Sequence, residues 1–398
     1  MKFYLFFSVF LTIAPLFSQA NTADVTELTS APPKITTDKG LMIESPNNAF
    51  SMRIGLRTQT RLSVEDYDEN SSSKDLTDIQ VRRMRLRFDG HAYAKNLRYN
   101  LQFAFTRGDQ DWDTIDYPNI LRDASITWEW ADNQVLIFGL RKLPGNRQRL
   151  VSSGAQEFVD RSLANAIFNI DRDNGVQSRH QWGSESPFRL QLALSSGEGR
   201  GQPNKGTGLS TTARVEWLPL GLFQEDGDFF EGDLLFESDH KLAFGLSHNK
   251  NRKAYRLGGQ IGEIMDNDSR RDLESLMADV LWKYQGYSIS LEQFMRNAED
   301  PTISADQTIY EGTGTNIQFS YVFPNKVSPA VRWTHIKPKS ELKNFLNERT
   351  QVTVGLSKYI NRHKFKVQGD YTVETIEPRQ TTGRLQNNIF RLQLEFGI

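Results

Sequence analysis

The sequence predicts an all-β fold, a 16-stranded antiparallel transmembrane β-barrel with an inward-folded constriction loop. Three observations predict it. Segments of alternating apolar and polar residues recur from Phe50 to Ile398, the connections between them are long and short by turns, and tryptophans collect at one end of the segments. Successive side chains of a strand point to opposite faces, so alternation gives each strand one apolar and one polar face. A barrel in a bilayer needs this in every strand, with lipid outside and a polar lumen inside.

Residues 1–20 read as a signal peptide: Lys2 supplies the positive start, Phe3 to Phe17 the apolar core, and Ser18-Gln19-Ala20 a small-residue cleavage site. The apolar run has roughly 15 residues where a membrane helix needs about 20. The chain has no cysteine, which removes lipid attachment after Ala20, disulfides, thiol nucleophiles and Cys-based metal sites. Mean hydropathy is −0.55, and after Phe17 no apolar run approaches the roughly 18 residues of a spanning helix. That excludes an exported helical membrane protein but not a β-barrel, in which only alternate residues meet lipid. The net charge of −1 says little about partners; what matters is where the charges sit. Residues 21–48 are polar, with Pro32, Pro33 and Pro46, and read as an irregular segment; residues 49–398 read as the barrel. The expected location is the bacterial outer membrane, with its lipid as the surrounding partner.

Taken in order, the first strand is Phe50–Val64, with Phe50, Met52, Ile54, Leu56, Leu62 and Val64 on one face and Arg53, Arg57, Gln59 and Arg61 on the other. The next is 78–92, where Met84, Leu86 and Phe88 oppose Arg83, Arg85 and Arg87. Strands are then expected at 97–106, 121–131, 134–142, 174–183, 187–197, 209–219 and 240–249. They continue at 273–284, 286–297, 314–323, 326–337, 349–360, 362–376 and 385–398. An even count is what a single-chain bacterial barrel requires.

Connections after odd strands are mostly long and polar, and those after even strands are tight, such as Ala131-Asp132-Asn133 and Pro324-Asn325. Outer-membrane barrels have long outer loops and short periplasmic turns. One connection, about 220–239, is long yet falls on the periplasmic side, as an elaborated turn or a further hairpin. Trp128, Trp130, Trp182, Trp217 and Trp282 lie near the ends of even strands, with Phe323, Tyr359 and Phe396 ending others. That placement builds an aromatic girdle at the periplasmic rim. Trp112 and Trp333 do not join it.

No catalytic constellation is present. The six histidines are dispersed without metal-ligand spacing, and there is no G-x-S-x-G elbow, so neither an enzyme nor a cofactor is expected. Gly197-Glu198-Gly199-Arg200-Gly201 sits in an outer loop rather than between strand and helix, which makes it a weak phosphate cradle. Asp109, Asp111, Asp113 and Asp116 read as a solvated acidic loop rather than a Ca²⁺ site. The basic strands are the sharper signal. Closing the first hairpin near Ser71 puts Arg57 opposite Arg85 and Arg53 opposite Asp89. Like charges directly opposite destabilise a sheet, so two roles are open to these arginines. They are struts for folded-in loop acids, or they are kept for anions, which guanidinium forks and rings of Arg or Lys recognise. The longest outer connection, about 143–173, carries Arg147, Arg149, Arg161 and Arg172 among Phe158, Leu163, Ile167, Phe168 and Ile170. So many apolar residues predict a loop folded back into the lumen to narrow it, the alternative being an exposed surface loop.

Four stretches of the chain resemble the phosphate-selective porin O and P family of outer-membrane channels. They are Lys39-Gly40-Leu41 through Arg57, Arg82 to Tyr93, Arg122-Asp123-Ala124, and Gly139 to Val176 with its Gly139-Leu140-Arg141-Lys142-Leu143-Pro144-Gly145 opening. The resemblance implies a 16-stranded barrel, usually a homotrimer, that passes phosphate or other small anions by diffusion. It also implies that Arg57, Arg83, Arg85, Arg141, Lys142, Arg147 and Arg149 line the constriction. Arg53, Arg61 and Arg87 join them as lumen-facing residues by parity. The chain ends in Ile398 rather than the terminal Phe usual for such barrels, although Phe396 keeps the parity. No nucleic-acid partner is expected. A general non-selective channel and a non-conducting surface barrel or adhesin are the alternative functions.

Overall fold

The period-two pattern carries through into one antiparallel sheet that closes on itself. The computed structural model describes residues 32–37, 40–71, 73–110, 119–200, 208–378 and 383–398; the segment 1–20 expected to be a signal peptide lies outside them. Two short strands come first, β1 (Lys34–Thr36) and β2 (Leu41–Glu44). The long strands follow: β3 (Phe50–Asp66), β4 (Leu76–Ala92), β5 (Ala94–Ala104), β6 (Leu121–Ala131), β7 (Gln134–Lys142), β8 (Arg172–Trp182), β9 (Phe188–Ser195) and β10 (Ser210–Trp217). The circuit is completed by β11 (Lys241–Ala254), β12 (Arg271–Tyr284), β13 (Tyr287–Ala298), β14 (Gly312–Tyr321), β15 (Val327–Pro338), β16 (Glu348–Asn361), β17 (Phe365–Glu377) and β18 (Leu385–Gly397). Each strand from β3 pairs with the next, and β18 pairs with β3, closing a 16-stranded barrel. These are the sixteen strands the sequence predicts, with ends that differ by a few residues.

The barrel is inside out relative to a soluble protein. In β18, Phe390, Leu392, Leu394 and Phe396 face outward, while Gln393 and Glu395 are buried. The largest fully buried side chains include Arg214, Arg296, Arg332, Lys283 and Lys366. Trp130, Trp182, Trp217, Phe323 and Phe396 are exposed at periplasmic strand ends, and Trp217 stacks on Phe188 and Phe244, each at 5.8 Å. Tyr359 is a correction. It is buried, because Val354, Leu356 and Ile360 set the outward parity of β16 on even positions and turn residue 359 inward.

Two segments differ from their sequence reading. Within 21–48, read as irregular, β1 and β2 form a hairpin, and β2 pairs with Ser51–Ile54 of β3. β18 pairs with β3 only from Arg57 to Asp66, so β2 occupies the edge that β18 does not reach. The connection 218–240 is an elaborated turn that enters the barrel. Leu218 and Phe223 pack on Ala243 and Leu281, and Leu234 packs on Val322 and the inward Tyr359.

The loop after β7 turns into the lumen as well. It holds the short helices α1 (Arg147–Leu150) and α2 (Leu163–Phe168), the second capped by Ser162, whose hydroxyl accepts from the Asn165 amide. Leu143, Ala164, Phe168 and Ile170 cluster with Met277, Phe294 and Ile336 of the inner wall. Glycines give the rings their seat. A Cβ at Gly314 would stand 2.7 Å from the Phe168 ring, and one at Gly355 2.8 Å from the Phe158 ring.

Candidate functional site

Since the loop crosses the lumen, the open space lies between it and the wall of β4 to β8. Three adjoining spaces run along that wall. The outer one is bordered by Arg82, Arg83, Asp109, Asp160, Arg161 and Arg391. It shares Arg85, Arg122, Arg149 and Arg161 with the middle one. The middle one shares Arg87, Asn100 and Arg141 with the inner one, which Arg53, Asp89, Arg98 and Arg179 also line. Each thus shares wall residues with the next.

The middle space is the most cationic. Its wall presents Arg85, Arg87, Arg122, Arg141, Lys142 and Arg172, and the loop adds Arg149 and Arg161. Asp123 is the one carboxylate among the described lining residues, which also include Ser152 and Ser153. Five of the eight cations have carboxylate partners. Arg85 donates to Asp109 through Nε at 2.7 Å and Nη2 at 2.8 Å, Arg122 approaches the same carboxylate at 3.3 Å, and Arg87 reaches Asp89 at 2.9 Å. Arg172 donates to Asp123 at 2.9 Å, and Arg149 pairs with Asp171. Arg141, Lys142 and Arg161 have no carboxylate within 4 Å among the described residues. Lys142 donates to the carbonyls of Leu150 and Val151, and Arg161 to those of Gln148 and Val151, so both brace the loop through neutral acceptors. Burial, then the charges of Arg149 and Arg83, push the Arg161 guanidinium well below its usual value. A group so placed gains from an arriving anion.

Loop carboxylates pair with Arg61, Arg83 and Arg85 of the first hairpin, whereas Arg53 and Arg87 pair with Asp89 of β4 and Arg57 approaches Glu395 of β18 at 3.8 Å. Arg57 stands directly opposite Arg85, and Arg53 opposite Asp89, as hairpin closure predicts. The Ser153 hydroxyl takes a bond from each of the facing arginines, 2.8 Å from Arg57 and 3.0 Å from Arg85. Asp160 holds Arg61 at 2.6 Å, Arg83 at 3.0 Å and Arg391 at 3.3 Å. Burial alone would raise the Asp160 pKa, but Arg61, Arg83 and Arg391 hold it well below the usual carboxylate range. The balance at Asp109 is the same, with burial outweighed by Arg85 and Arg122. Asp109 is thus buried rather than solvated; Asp111, Asp113 and Asp116 lie outside the described residues.

The residues singled out from sequence therefore divide. Arg85, Arg87, Arg141, Lys142 and Arg149 line the middle space, Arg83 the outer and Arg53 the inner. Arg57 and Arg61 lie behind the loop, tied to Ser152, Ser153 and Asp160. Arg147 is a correction. It sits across the barrel with Asp279 at 2.7 Å and Glu216 at 2.9 Å, in a buried network with Arg214, because the first turn of the loop runs along β10 and β12. Sequence reading did not list Arg82 and Arg122. Pairing skips from Gln59↔Arg83 to Thr60↔Val81, and from Gln102↔Asp123 to Phe103↔Leu121. Arg82 and Arg122 are the extra residues of these bulges, which turn them inward against the strand parity.

The family model for phosphate-selective porin O and P matches residues 53–398. No curated protein matches the sequence. Among solved structures, the anion-selective porin from Comamonas acidovorans is similar at TM-score 0.54 and 9% identity, covering 87% of this chain and 100% of that one. The outer membrane channel DcaP of Acinetobacter baumannii gives 0.54 and 11%, covering 89% and 99%. Salmonella typhi OmpF in complex with daunomycin gives 0.53 and 13%, covering 89% and 100%.

Proposed function

As a chain that belongs to the phosphate-selective porin O and P family, this is an outer-membrane porin, and we propose that it conducts small anions such as phosphate. One observation carries the anion reading. Among the described residues, eight cations line the middle space, five of them paired with Asp89, Asp109, Asp123 or Asp171, while Arg141, Lys142 and Arg161 have no carboxylate within 4 Å. Paired arginines are internally neutralised and act as scaffold; the three others leave positive potential in the path. Transport is passive. The field concentrates anions at the mouth, guanidinium and ammonium groups replace part of their hydration, and binding stays weak enough for release. The loop 143–171 sets the narrowest section. The working form is a homotrimer, exported with residues 1–20 removed.

Single-channel recording in planar bilayers tests this. In a salt gradient the reversal potential should show anion preference, and added phosphate should reduce chloride current. Cation preference would overturn the anion reading. Unaltered chloride current would overturn phosphate as the solute, and absence of conductance from a barrel with heat-modifiable gel mobility would favour the closed surface barrel.

A further inference from the structure

The outer space differs in kind from the middle one. Among the described lining residues, the middle space has one apolar side chain, Leu150, amid charged groups. The outer space has four, Leu163, Ala166, Ile261 and Ile389. It is also larger, about 450 Å³ against about 230 Å³. Clefts that hold small organic molecules run from roughly 300 to 1,000 Å³.

Three separate elements bring these side chains together. Leu163 and Ala166 belong to α2. Ile261 comes from the turn between β11 and β12, where the Gly258 amide donates to the Ile261 carbonyl at 3.0 Å. Its neighbours Gly262 and Glu263 are exposed, while Ile261 itself is half-buried. Ile389 lies on the inward side of β18, whose other inward positions are Asn387, Arg391, Gln393 and Glu395. Polar residues are what the lumen side of such a strand ordinarily carries. Neither Ile261 nor Ile389 belongs to any of the four buried apolar clusters. Both keep apolar surface open to the space.

Cations stand beside this surface. Arg83 and Arg391 are occupied by Asp160. Arg82 and Arg161 have no carboxylate within 4 Å among the described residues. Arg82 is seated against Gly108, where a Cβ would stand 2.5 Å from its Nη1, and that nitrogen is buried without a hydrogen-bond partner among the described residues. Arg161 borders both the outer and the middle space. A solute that satisfies both kinds of surface carries an anionic group on an apolar body.

We propose that the preferred solutes are compact organic anions, a phosphate or carboxylate joined to a small apolar body. The headgroup lies toward Arg82 and Arg161, and the body rests on Leu163, Ile261 and Ile389. Inorganic phosphate meets the same cations but leaves the apolar side chains uncovered. Past the middle space, Val135 and Ile137 of the inner space offer apolar surface again. Removing about 55 Å² of apolar surface from water strengthens binding about tenfold.

This inference rests on the anion-channel reading, and the experiment separates the two. Chloride current through the full chain is recorded in planar bilayers while inorganic phosphate, methyl phosphate, propyl phosphate or phenyl phosphate is added. The half-blocking concentration should fall along that series, with phenyl phosphate about tenfold below inorganic phosphate. Benzyl alcohol, an apolar body without charge, should leave the current unchanged. In Ile261→Asn with Ile389→Asn, folded by gel mobility, the ratio between inorganic and phenyl phosphate should approach one. A parent that conducts anions and is blocked equally by all four phosphates would overturn the inference and leave the channel reading standing, whether or not the double variant folds. So would a tenfold ratio that persists in the folded double variant, or block by benzyl alcohol as strong as by phenyl phosphate. A parent without anion conductance would overturn the channel reading itself.

Discussion

Replacing Glu157 with glutamine should remove a pH-dependent weakness at the junction of the two inward segments. Glu157 is buried there, and Gln318 donates to its carboxylate at 3.0 Å and to that of Glu231 at 3.2 Å. Burial, then the charge of Glu231, push its carboxyl from the usual 4.5 up to about 7. An acid with a raised folded-state pKa binds more protons folded than unfolded between those values, so stability falls as pH rises through that window. At 1.36 kcal/mol per unit, the full loss is roughly 3 kcal/mol. About 2 kcal/mol of it should be lost between about pH 5.5 and about pH 8.5. Glutamine keeps an acceptor for Gln318 and carries no charge to titrate. Guanidinium unfolding in detergent micelles, followed by tryptophan fluorescence, should show the parent losing that much more stability than Glu157→Gln across the range. Parallel pH profiles for the two proteins would refute the reasoning.

Arg161→Ala and Lys142→Met should each move the reversal potential toward zero. Arg61→Ala, which removes a strut on Asp160, should leave it unchanged and lower stability by about 2 kcal/mol. Asp109→Asn strips the shared counter-charge from Arg85 and Arg122, so anion preference should rise while stability drops by about 3–5 kcal/mol in the same unfolding assay. Because the Asp109 carboxyl is held well below its usual value, its stabilisation is complete at neutral pH and is lost only on strong acidification. Gly139 has φ +108°, and a Cβ there would stand 2.3 Å from the Ala124 carbonyl oxygen, so Gly139→Ala should cost about 1–3 kcal/mol and lower the temperature at which the folded gel band is lost.

Local pattern carried most of the barrel. The 121–131 and 134–142 strands have the ends that alternation assigns them, and simple hairpin counting put Arg57 opposite Arg85. The site was legible where parity held, at Arg85, Arg87 and Arg141. It was hidden where a bulge breaks parity, at Arg82 and Arg122, since nothing in the flanking pattern marks the extra residue. Length alone singled out 220–239, but its contacts inside the barrel are with residues remote in sequence, among them Lys283, Gly286, Gln318 and Arg189. Arg147 looked like its neighbours in sequence, and only the path of the loop across the lumen separates it from Arg149.

The hairpin ahead of the barrel bears on how the seam finds its alignment. A closing pair of strands can slide by two residues without changing which side chains face lipid, so patterning alone does not fix the shear of the cylinder. Here β2 occupies the slot beside Ser51–Ile54, and Gly40 lies against Ile398, whose amide donates to the Leu56 carbonyl at 3.0 Å. A slip of β18 toward the periplasm would collide with β2 at Gly40. The short N-terminal strand is thus an end-stop: it blocks slippage in one direction and holds Arg57 opposite Gly397, diagonal to Glu395 and 3.8 Å from its carboxylate, across the seam.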